Sequence, residues 1–282
     1  MTVASDTIRP MSAADTEPAA DLLRRGEFGD RSEFFAWAMT RPTIGLFVAE
    51  RDGAIVGTGV GSAHGPVGWV GVIFVTPAVR GAGVGRRITR AVIEHLEAAG
   101  CRSQVLIASP MGRPIYEREG FRVIERQVRL TIDGLPPNDD PGDPRVRAFT
   151  IRDADAVLAL DRAATGEDRS AVIRELVTPA STIVATGADG EVRGYLARAP
   201  WRGGAVIAPD PDDALRLLER RRHATGISGK AGAGVMSGNA AGRERLRAAG
   251  WLEELGGVRM LRGERLDWQP NAIWGQFNGA LG

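Results

Sequence analysis

The sequence has little cysteine and almost no excess charge, and each shortage excludes a class of protein. Cys101 is the only cysteine among 282 residues, so no disulfide can form within the chain, which fits a reducing compartment. The 36 basic and 35 acidic residues leave a net charge of +1. A general nucleic-acid-binding protein carries a strong basic excess, so we expect no nucleic-acid partner.

Long hydrophobic runs are missing as well. No stretch of about 18 consecutive apolar residues occurs, so the sequence predicts no membrane-spanning helix and no membrane partner. Residues 1–6 lack the charged start and apolar segment of a secretory signal, and we therefore expect a cytoplasmic protein. The three histidines and the single cysteine are scattered without metal-ligand spacing, so we expect no metal site.

The chain contains an internal repeat with an offset near 138 residues, as expected for two domains of about 150 residues each. Three pairs of segments carry it: Ile8-Arg9 with Asp15 recurs as Val146-Arg147 with Asp153, Asp30-Arg31-Ser32 as Asp168-Arg169-Ser170, and Asp52-Gly53 as Asp189-Gly190. A stretch rich in Pro, Gly and Asp lies between the halves and is typical of a linker. The expected ranges are a first domain over 1–132, a linker over 133–145, a second domain over 146–266 and a tail over 267–282.

Local patterns in the first half predict alternating helices and strands. Helices are expected over 12–25, 32–40, 85–99 and 113–119, a hairpin over 46–50 and 55–60 around Asp52-Gly53, and strands over 69–75, 103–108 and 123–132. This order indicates an α/β (α+β) domain with a mixed sheet.

A glycine-rich loop follows the apolar strand 69–75 and leads into a helix. The loop reads Arg80-Gly81-Ala82-Gly83-Val84-Gly85. Glycines let backbone N–H groups come close to a ligand, and a helix N-terminus favours a phosphate. The dinucleotide-binding pattern would need a glycine where Arg86 stands, and no Gly-Lys-Ser/Thr follows as in a nucleoside-triphosphate loop.

Two motifs in this half resemble those of a known family. Val75-Thr-Pro-x-x-Arg-Gly-x-Gly-x-Gly85 resembles the acetyl-CoA signature of the GNAT (Gcn5-related N-acetyltransferase) superfamily. The segment 108–121, a short predicted helix with Tyr116 that ends in Gly-Phe, resembles the second signature. The resemblance covers residues 6–132. With its ending 273–282, the whole chain resembles two-domain bacterial members, which implies two tandem domains, each with a mixed, mostly antiparallel sheet flanked by helices.

The resemblance also implies a chemistry and a set of site residues. Acetyl-CoA would be the co-substrate, and an amine would attack its thioester, whose developing negative charge needs hydrogen-bond donors. Backbone N–H groups of Ile73, Phe74 and Val75 would hold the thioester. Tyr116 would be the general acid; the alternative is a packed aromatic residue. The remaining cofactor-binding positions implied are Arg80, Gly81, Ala82, Gly83, Val84, Gly85 and Arg86 for the pyrophosphate and Ser109 for the CoA arm.

No general base can be assigned from the sequence. Asp30 and Glu33 border the acceptor groove that the resemblance implies, and His64 is expected in an exposed turn before the strand 69–75. The run Arg220–His223 is interpreted as a solvated helix face. The sequence does not predict an oligomeric state.

The second half aligns with the first but has lost the implied site. Asp210-Pro-Asp-Asp213 stands where the glycine loop would be, and Leu246 aligns with Tyr116, whereas Asn239 aligns with Ser109. A pyrophosphate would be repelled by the three carboxylates. The second domain is therefore interpreted as a degenerate copy, either structural or contributing to acceptor recognition.

Together these patterns favour an acetyl-CoA-dependent N-acetyltransferase whose acceptor is a small-molecule amine or amino acid. Two alternatives stay open at this point: a protein or peptide N-acetyltransferase, and a sensor that binds acyl-CoA without turnover.

Overall fold

A computed structural model describes residues 6–26, 28–136, 143–201 and 203–282. The chain divides into two compact units. Unit 1 comprises the chain up to Arg122 with Met260–Glu264 and Gly279–Leu281, and unit 2 comprises Val123–Arg259, Arg265–Asn278 and Gly282. Residues 137–142 of the expected linker lie outside the described residues. Within the described ranges, no helix has the length and apolar character needed to cross a membrane.

The helices and strands follow one another in an order that is repeated. In chain order they are β1 (Thr7–Pro10), α1 (Thr16–Arg25), α2 (Ser32–Ala38), β2 (Ile44–Arg51), β3 (Ala54–His64), β4 (Val67–Val75), α3 (Val84–Ala98), β5 (Ser103–Ala108), α4 (Arg113–Arg118), β6 (Arg122–Asp133), β7 (Val146–Ala148), α5 (Ala154–Thr165), α6 (Ser170–Leu176), β8 (Thr182–Thr186), β9 (Val192–Arg198), β10 (Gly204–Ile207), α7 (Pro211–Thr225), β11 (Lys230–Met236), α8 (Ala240–Ala248), β12 (Leu252–Glu254), β13 (Val258–Gly263) and β14 (Ile273–Gly275).

The sheet of unit 1 is mixed and mostly antiparallel. Strands β1 to β4 pair antiparallel with their sequence neighbours, β5 joins β4 in parallel, and β13 follows β5. Asp52 and Gly53 both have positive φ, 51° and 77°, which is the geometry of a two-residue hairpin turn between β2 and β3. Helix α3 packs closely on β3, because a Cβ at Gly59 would lie 2.4 Å from Ile88 Cγ2.

Unit 2 contains a five-stranded antiparallel sheet in the order β14-β10-β9-β8-β7, while β11 and β12 both pair antiparallel with β6. Its buried core includes Leu196, Val206, Leu217 and Leu218. The tail expected after the last strand contains a further strand, β14, whose Trp274 is fully buried.

The repeat seen in the sequence has the same structural role in both units. Arg9 donates two hydrogen bonds to Asp15 at 2.6 and 2.9 Å, and Arg147 donates two to Asp153 at 2.7 and 2.8 Å. Each aspartate also accepts from the residue three positions earlier, at the start of a short 3-10 turn before the first helix. The arginine beside it holds the pKa of each aspartate well below its usual range.

Two expectations drawn from the sequence are wrong. His64 does not lie in an exposed turn: β3 continues to this residue, and only 3% of it is exposed. The run Arg220–His223 is not simply a solvated helix face, because Arg221, Arg222 and His223 are half-buried and bond backbone carbonyl groups of other segments.

A buried polar network fixes α5 of unit 2. Arg169 donates to both carboxylate oxygens of Asp161, through Nε at 3.0 Å and Nη2 at 2.5 Å, and the Tyr195 hydroxyl donates to Asp161 Oδ1 at 2.5 Å. All three side chains are almost fully buried. Because charges in an apolar interior are stable only with their partners, Asp161 holds this network together.

Replacing Asp161 with Ala should therefore destabilise the protein by about 3–5 kcal/mol, since it leaves the Arg169 guanidinium buried without its carboxylate. Asp189→Ala is the matched control, because Asp189 pairs with Arg193 at 3.2 Å on the surface, where such pairs contribute about 0–1 kcal/mol. Urea unfolding measures both. Equal midpoints for the two variants would contradict the assignment.

Candidate functional site

Strand β4 separates from β5 part-way along its length. The parallel pairing runs from Val67↔Ser103 to Trp69↔Val105, whereas β4 continues to Val75 with β3 as its partner on the other side. The edge of β4 that faces away from β3 therefore leaves its pairing with β5 before Ile73, Phe74 and Val75. Backbone N–H groups on such an edge can bind a ligand.

A β-bulge accompanies this separation. Val72 and Ile73 lie opposite the single residue Gly59, and Val72 has a φ of 51°. For a β-branched residue this conformation is strained, at a cost of about 1–3 kcal/mol. The Thr58 hydroxyl donates to the Val72 carbonyl oxygen at 2.9 Å and holds the bulge in place. No local pattern in the sequence predicts this bulge, because valine ordinarily favours regular strands.

The glycine loop that follows β4 is open toward solvent. Gly81 and Gly83 have φ values of 83° and 76°, and a Cβ at either position would meet no atom within 4 Å. Gly83 is the last residue before α3, whose first N–H groups have no partner within the helix. The loop therefore offers backbone donors, the positive end of a helix dipole and free space, and these residues fit a diphosphate.

The arginines of the loop are held by the protein. Arg80 donates through Nε to the Val75 carbonyl oxygen at 3.0 Å, and its guanidinium lies 6.0 Å from the Phe74 ring centroid. The Arg86 side chain pairs with Glu119. Its backbone N–H still belongs to the first turn of α3, where N–H groups have no partner within the helix.

The second motif packs against the first at Gly85. A Cβ at Gly85 would lie 3.4 Å from Ile115 Cδ1 and 3.5 Å from Val75 Cγ2. Strand β4, the glycine loop and α4 therefore meet at one glycine. The structure thus brings the two sequence motifs together around the start of α3.

Ser109 and Tyr116 lie at the same corner of α4. The Ser109 hydroxyl accepts from the Gly112 N–H at 3.2 Å, and both the Ser109 and Tyr116 oxygens lie within 4 Å of the position a Cβ would take on Gly112. Gly112 therefore keeps this corner open. The Tyr116 ring makes an edge contact with Phe121, with 6.0 Å between their centroids.

The environment of Tyr116 keeps its hydroxyl protonated. Only 8% of the residue is exposed, and burial raises its pKa well above the usual range. Among the described residues, none accepts or donates a hydrogen bond to this hydroxyl. A protonated phenol whose hydrogen is not used within the protein can serve as a proton donor.

Aromatic and charged side chains around Phe74 form a group that sequence reasoning missed. The Phe28 and Phe74 rings lie 5.7 Å apart, and the Arg31 guanidinium lies 5.8 Å from the Phe28 centroid. Gly26 is required here, because a Cβ would lie 2.1 Å from Phe74 Cζ. The proximity of Gly26 and Phe28 to β4 depends on tertiary packing, which local patterns do not contain.

Of the two acidic residues expected near the acceptor groove, Asp30 has a structural task. Its Oδ1 accepts from the Ser32 backbone N–H at 2.9 Å and from the Ser32 hydroxyl at 2.6 Å, at the start of α2. These bonds lower the pKa of Asp30. Glu33 is exposed. Neither side chain is thereby identified as a general base.

The C-terminal segment Gly279–Leu281 belongs to unit 1 and packs against β4. A Cβ at Gly71 would lie 2.1 Å from the Gly279 carbonyl oxygen and 2.6 Å from Ala280 Cα. Gly71 directly precedes the bulge residue Val72. The segment therefore borders the point where β4 and β5 separate.

In unit 2 the corresponding corner keeps the backbone contacts but has no tyrosine. The Phe121 N–H donates to Tyr116 O at 3.1 Å, and the Trp251 N–H donates to Leu246 O at 3.0 Å. Gly120 and Gly250 share φ values of 86° and 87°. These matching contacts place Leu246, an apolar and fully buried residue, where unit 1 has Tyr116.

Other contacts in unit 2 are made within the protein itself. Asn239 takes the capping role of Ser109, accepting from the Gly242 N–H at 2.9 Å, and donates to the Asn271 carbonyl oxygen at 3.0 Å. Asp210 caps α7 by accepting from the Asp212 N–H. Strand β14 pairs with β10, and Trp274 Nε1 donates to Ala208 O at 2.8 Å. Strand β10 is the counterpart of β4. The tail therefore covers the edge of β10 that faces away from β9, whereas the matching edge of β4 leaves its pairing with β5 after Trp69.

Comparisons with known proteins identify the class. Residues 42–123 match a family model whose description is "Acetyltransferase (GNAT) domain". Residues 157–275 match a second family model with the same description. The chain belongs to the GNAT family and carries two GNAT domains in tandem, as the sequence predicted.

The chain is similar in sequence to several N-acetyltransferases. The chain is 29% identical over 157 residues to an uncharacterized N-acetyltransferase, YitH, of Bacillus subtilis, covering 54% of this chain and 55% of that protein. It is 33% identical over 149 residues to the mycothiol acetyltransferase of Thermomonospora curvata, with 48% of each covered. The chain thus spans about half the length of these two relatives. The chain is also 29% identical over 247 residues to the mycothiol acetyltransferase of Clavibacter sepedonicus, and this match covers 79% of each protein.

Solved structures share the fold over nearly the whole chain. A Pyrococcus horikoshii protein assigned to the acetyltransferases superposes with a TM-score of 0.83 at 20% identity, covering 100% of this chain and 98% of that one. A GCN5-related N-acetyltransferase from Sphaerobacter thermophilus gives 0.65 at 17% identity, covering 93% and 98%. Both confirm the predicted α/β fold with two tandem domains.

A bulky residue at Gly83 should abolish binding of CoA while the protein still folds. In Gly83→Trp the indole would fill the open space beside the first N–H groups of α3 and keep a diphosphate away from them. Calorimetric titration with CoA measures the effect, and we expect no detectable binding.

Gly53→Trp is the matched control for this substitution. Gly53 also has a positive φ, 77°, and a Cβ there meets no atom within 4 Å. Both variants therefore carry the same backbone strain, but only one changes the loop. Unchanged affinity in Gly83→Trp, or equal loss in both variants, would remove the loop from the site.

Proposed function

We propose that the protein is an acetyl-CoA-dependent N-acetyltransferase whose acceptor is a small-molecule amine. The observation that carries the proposal is the meeting of β4, the open glycine loop and the Tyr116 corner around Gly85. This arrangement combines a phosphate cradle, an unpaired strand edge and a proton donor within one site of unit 1.

Acetyl-CoA would supply an acetyl group activated as a thioester. In the proposed site the N–H groups of the glycine loop and of Arg86 bind its diphosphate, and Ser109 lies beside the path of its arm. Along Ile73, Phe74 and Val75, the backbone N–H groups that point away from β3 orient the thioester carbonyl and stabilise the charge that develops on its oxygen. The Val72 bulge directs these groups, because it turns the strand at the point where β5 departs.

The amine nitrogen forms a bond to the acetyl carbon, the bond from that carbon to sulfur breaks, and the nitrogen gives up a proton. The Tyr116 hydroxyl donates a proton to the departing sulfur, and its raised pKa means that the donor form dominates at neutral pH. The group that accepts the proton from the amine stays unassigned.

The proposal of a small-molecule acceptor rests on the relatives that are named mycothiol acetyltransferases. Release of CoA from acetyl-CoA should therefore be measured against a panel of amino sugars, amino acids and short peptides. We expect turnover with members of the first two groups. Binding of acetyl-CoA without turnover on any amine would instead favour a sensor, and turnover on peptides alone would contradict the small-molecule acceptor.

Tyr116→Phe should lower kcat by about 100-fold or more, with little change in the KM for acetyl-CoA, because it removes the proton donor and keeps the ring. Steady-state kinetics of CoA release measures both constants. The hydroxyl has no hydrogen-bond partner among the described residues, so thermal stability should hardly change.

Tyr195→Phe is the control for Tyr116→Phe, as these are the two tyrosines of the chain. It removes a buried hydrogen bond to Asp161 in unit 2, so it should lower stability by about 1–3 kcal/mol and leave kcat nearly unchanged. If Tyr116→Phe keeps its kcat and loses stability instead, Tyr116 is a packing residue.

We further propose that one chain binds one molecule of acetyl-CoA, in unit 1. The support comes from unit 2, where Asp210, Asp212 and Asp213 stand in place of the glycines, Leu246 replaces the tyrosine, and β14 occupies the edge of β10. Calorimetry on the full chain should give a stoichiometry near one. A value near two would mean that unit 2 keeps a CoA site.

A further inference from the structure

Unit 2 contains a cavity of about 1090 Å³ that is remote from the counterpart of the glycine loop. It lies at the C-terminal end of α7, beside the turn between β9 and β10 and the starts of β8 and β11. The aspartates that replace the glycine loop lie at the other end of α7, which is 15 residues and therefore about 22 Å long. We call this cavity the basic cleft.

Four cationic side chains contribute to the lining of the basic cleft, against one carboxylate. The cations are Arg129, Arg198, Arg221 and Lys230, and the carboxylate is that of Glu175. Arg129 lies 3.3 Å from Glu254 and is partly neutralised. Among the described residues, no carboxylate lies within ion-pair distance of Arg198, Arg221 or Lys230. The cleft therefore keeps an excess of positive charge in a chain whose net charge is only +1.

Arg221 is fixed in position beneath this surface. Its Nη1 donates to the Gly232 carbonyl oxygen at 2.9 Å and its Nη2 to the Gly204 carbonyl oxygen at 3.1 Å. Burial, together with the nearby charge of Arg198, lowers the pKa of Arg221 to about 10. Two guanidinium groups thus repel each other at one wall, and an anion bound between them would relieve that repulsion.

Space for a ligand is present at the same wall. Gly232 lies inside strand β11 and lines the cleft, and a Cβ on it would meet no atom within 4 Å. A glycine within a strand often marks the place where a ligand or another backbone comes close. The open position is beside the carbonyl group that Arg221 holds.

We propose that the basic cleft binds a small molecule with two or more anionic groups, phosphate or carboxylate. Arg198 and Lys230 would bind these groups directly, and Arg221 would supply a fixed positive charge at the wall. Guanidinium and ammonium groups form their strongest hydrogen bonds with such anions. The volume is also that of a small-molecule site and not of a single ion.

The test is calorimetric titration of the full-length protein with pyrophosphate and, separately, with citrate. The protein is first saturated with CoA, so that the glycine loop of unit 1 is filled, and ionic strength is held constant, because salt screens exposed charges. We expect binding of one anion per chain. The stronger of the two probes identifies phosphate or carboxylate as the preferred group.

Arg198→Gln and Lys230→Gln should each weaken this binding about tenfold, the loss expected for one charged hydrogen bond. Arg193→Gln is the matched control, because it removes one positive charge from the same strand that carries Arg198. The Arg193 side chain pairs with Asp189 and does not line the cleft. Thermal unfolding confirms that each variant folds. Lys230 is exposed, so its substitution tests the proposal even if Arg198→Gln unfolds.

Three outcomes would overturn the proposal. The first is that neither pyrophosphate nor citrate binds. The second is that Arg193→Gln weakens anion binding as much as the cleft variants do, which would mean that only the overall charge matters. The third is that Arg198→Gln and Lys230→Gln both leave the affinity unchanged. Each of these results is independent of whether unit 1 transfers acetyl groups.

Discussion

Strand β4 keeps β3 as its partner along most of its length but leaves β5 after Trp69, and everything in the site of unit 1 depends on this departure. A regular sheet would satisfy the backbone groups of Ile73 to Val75 and leave nothing for a ligand. The Val72 bulge makes the separation stable, since Thr58 holds the strained carbonyl group. The glycine loop then begins where the freed edge ends, so the proposed phosphate and thioester sites lie in sequence along one chain segment.

In unit 2 the corresponding strand edge is paired with another strand of the protein. Strand β14 pairs with β10, and Trp274 donates to the Ala208 carbonyl group. Without β14, the backbone groups on this edge of β10 would be left unsatisfied, at a cost comparable to a lost hydrogen bond. The tail strand therefore stabilises unit 2 in the same place where we propose that acetyl-CoA binds unit 1.

The sequence predicts the regular parts of the fold well, because they depend on local signals. Asp52-Gly53 marks a hairpin that the structure contains, and the predicted strand 103–108 is β5 itself. The features that were missed depend on tertiary contacts. The positive φ of Val72 contradicts the preference of valine, and β14 has three residues and no alternating pattern. His64 is buried because β3 extends past the predicted end at Val60.

The two units also separate what a GNAT domain needs in order to fold from what it needs for chemistry. The Arg–Asp pair before the first helix and the glycine turn after the short helix are the same in both, with Gly120 and Gly250 in matching conformations. Tyr116 and Leu246 lie on the short helix before this turn. Each accepts the same backbone hydrogen bond, from Phe121 and Trp251 respectively, and the two positions differ in the side chain. Since neither the pair nor the turn requires a proton donor, loss of the tyrosine leaves the fold intact. Membership of the family therefore describes the backbone of both units, whereas activity has to be argued separately for each from its side chains.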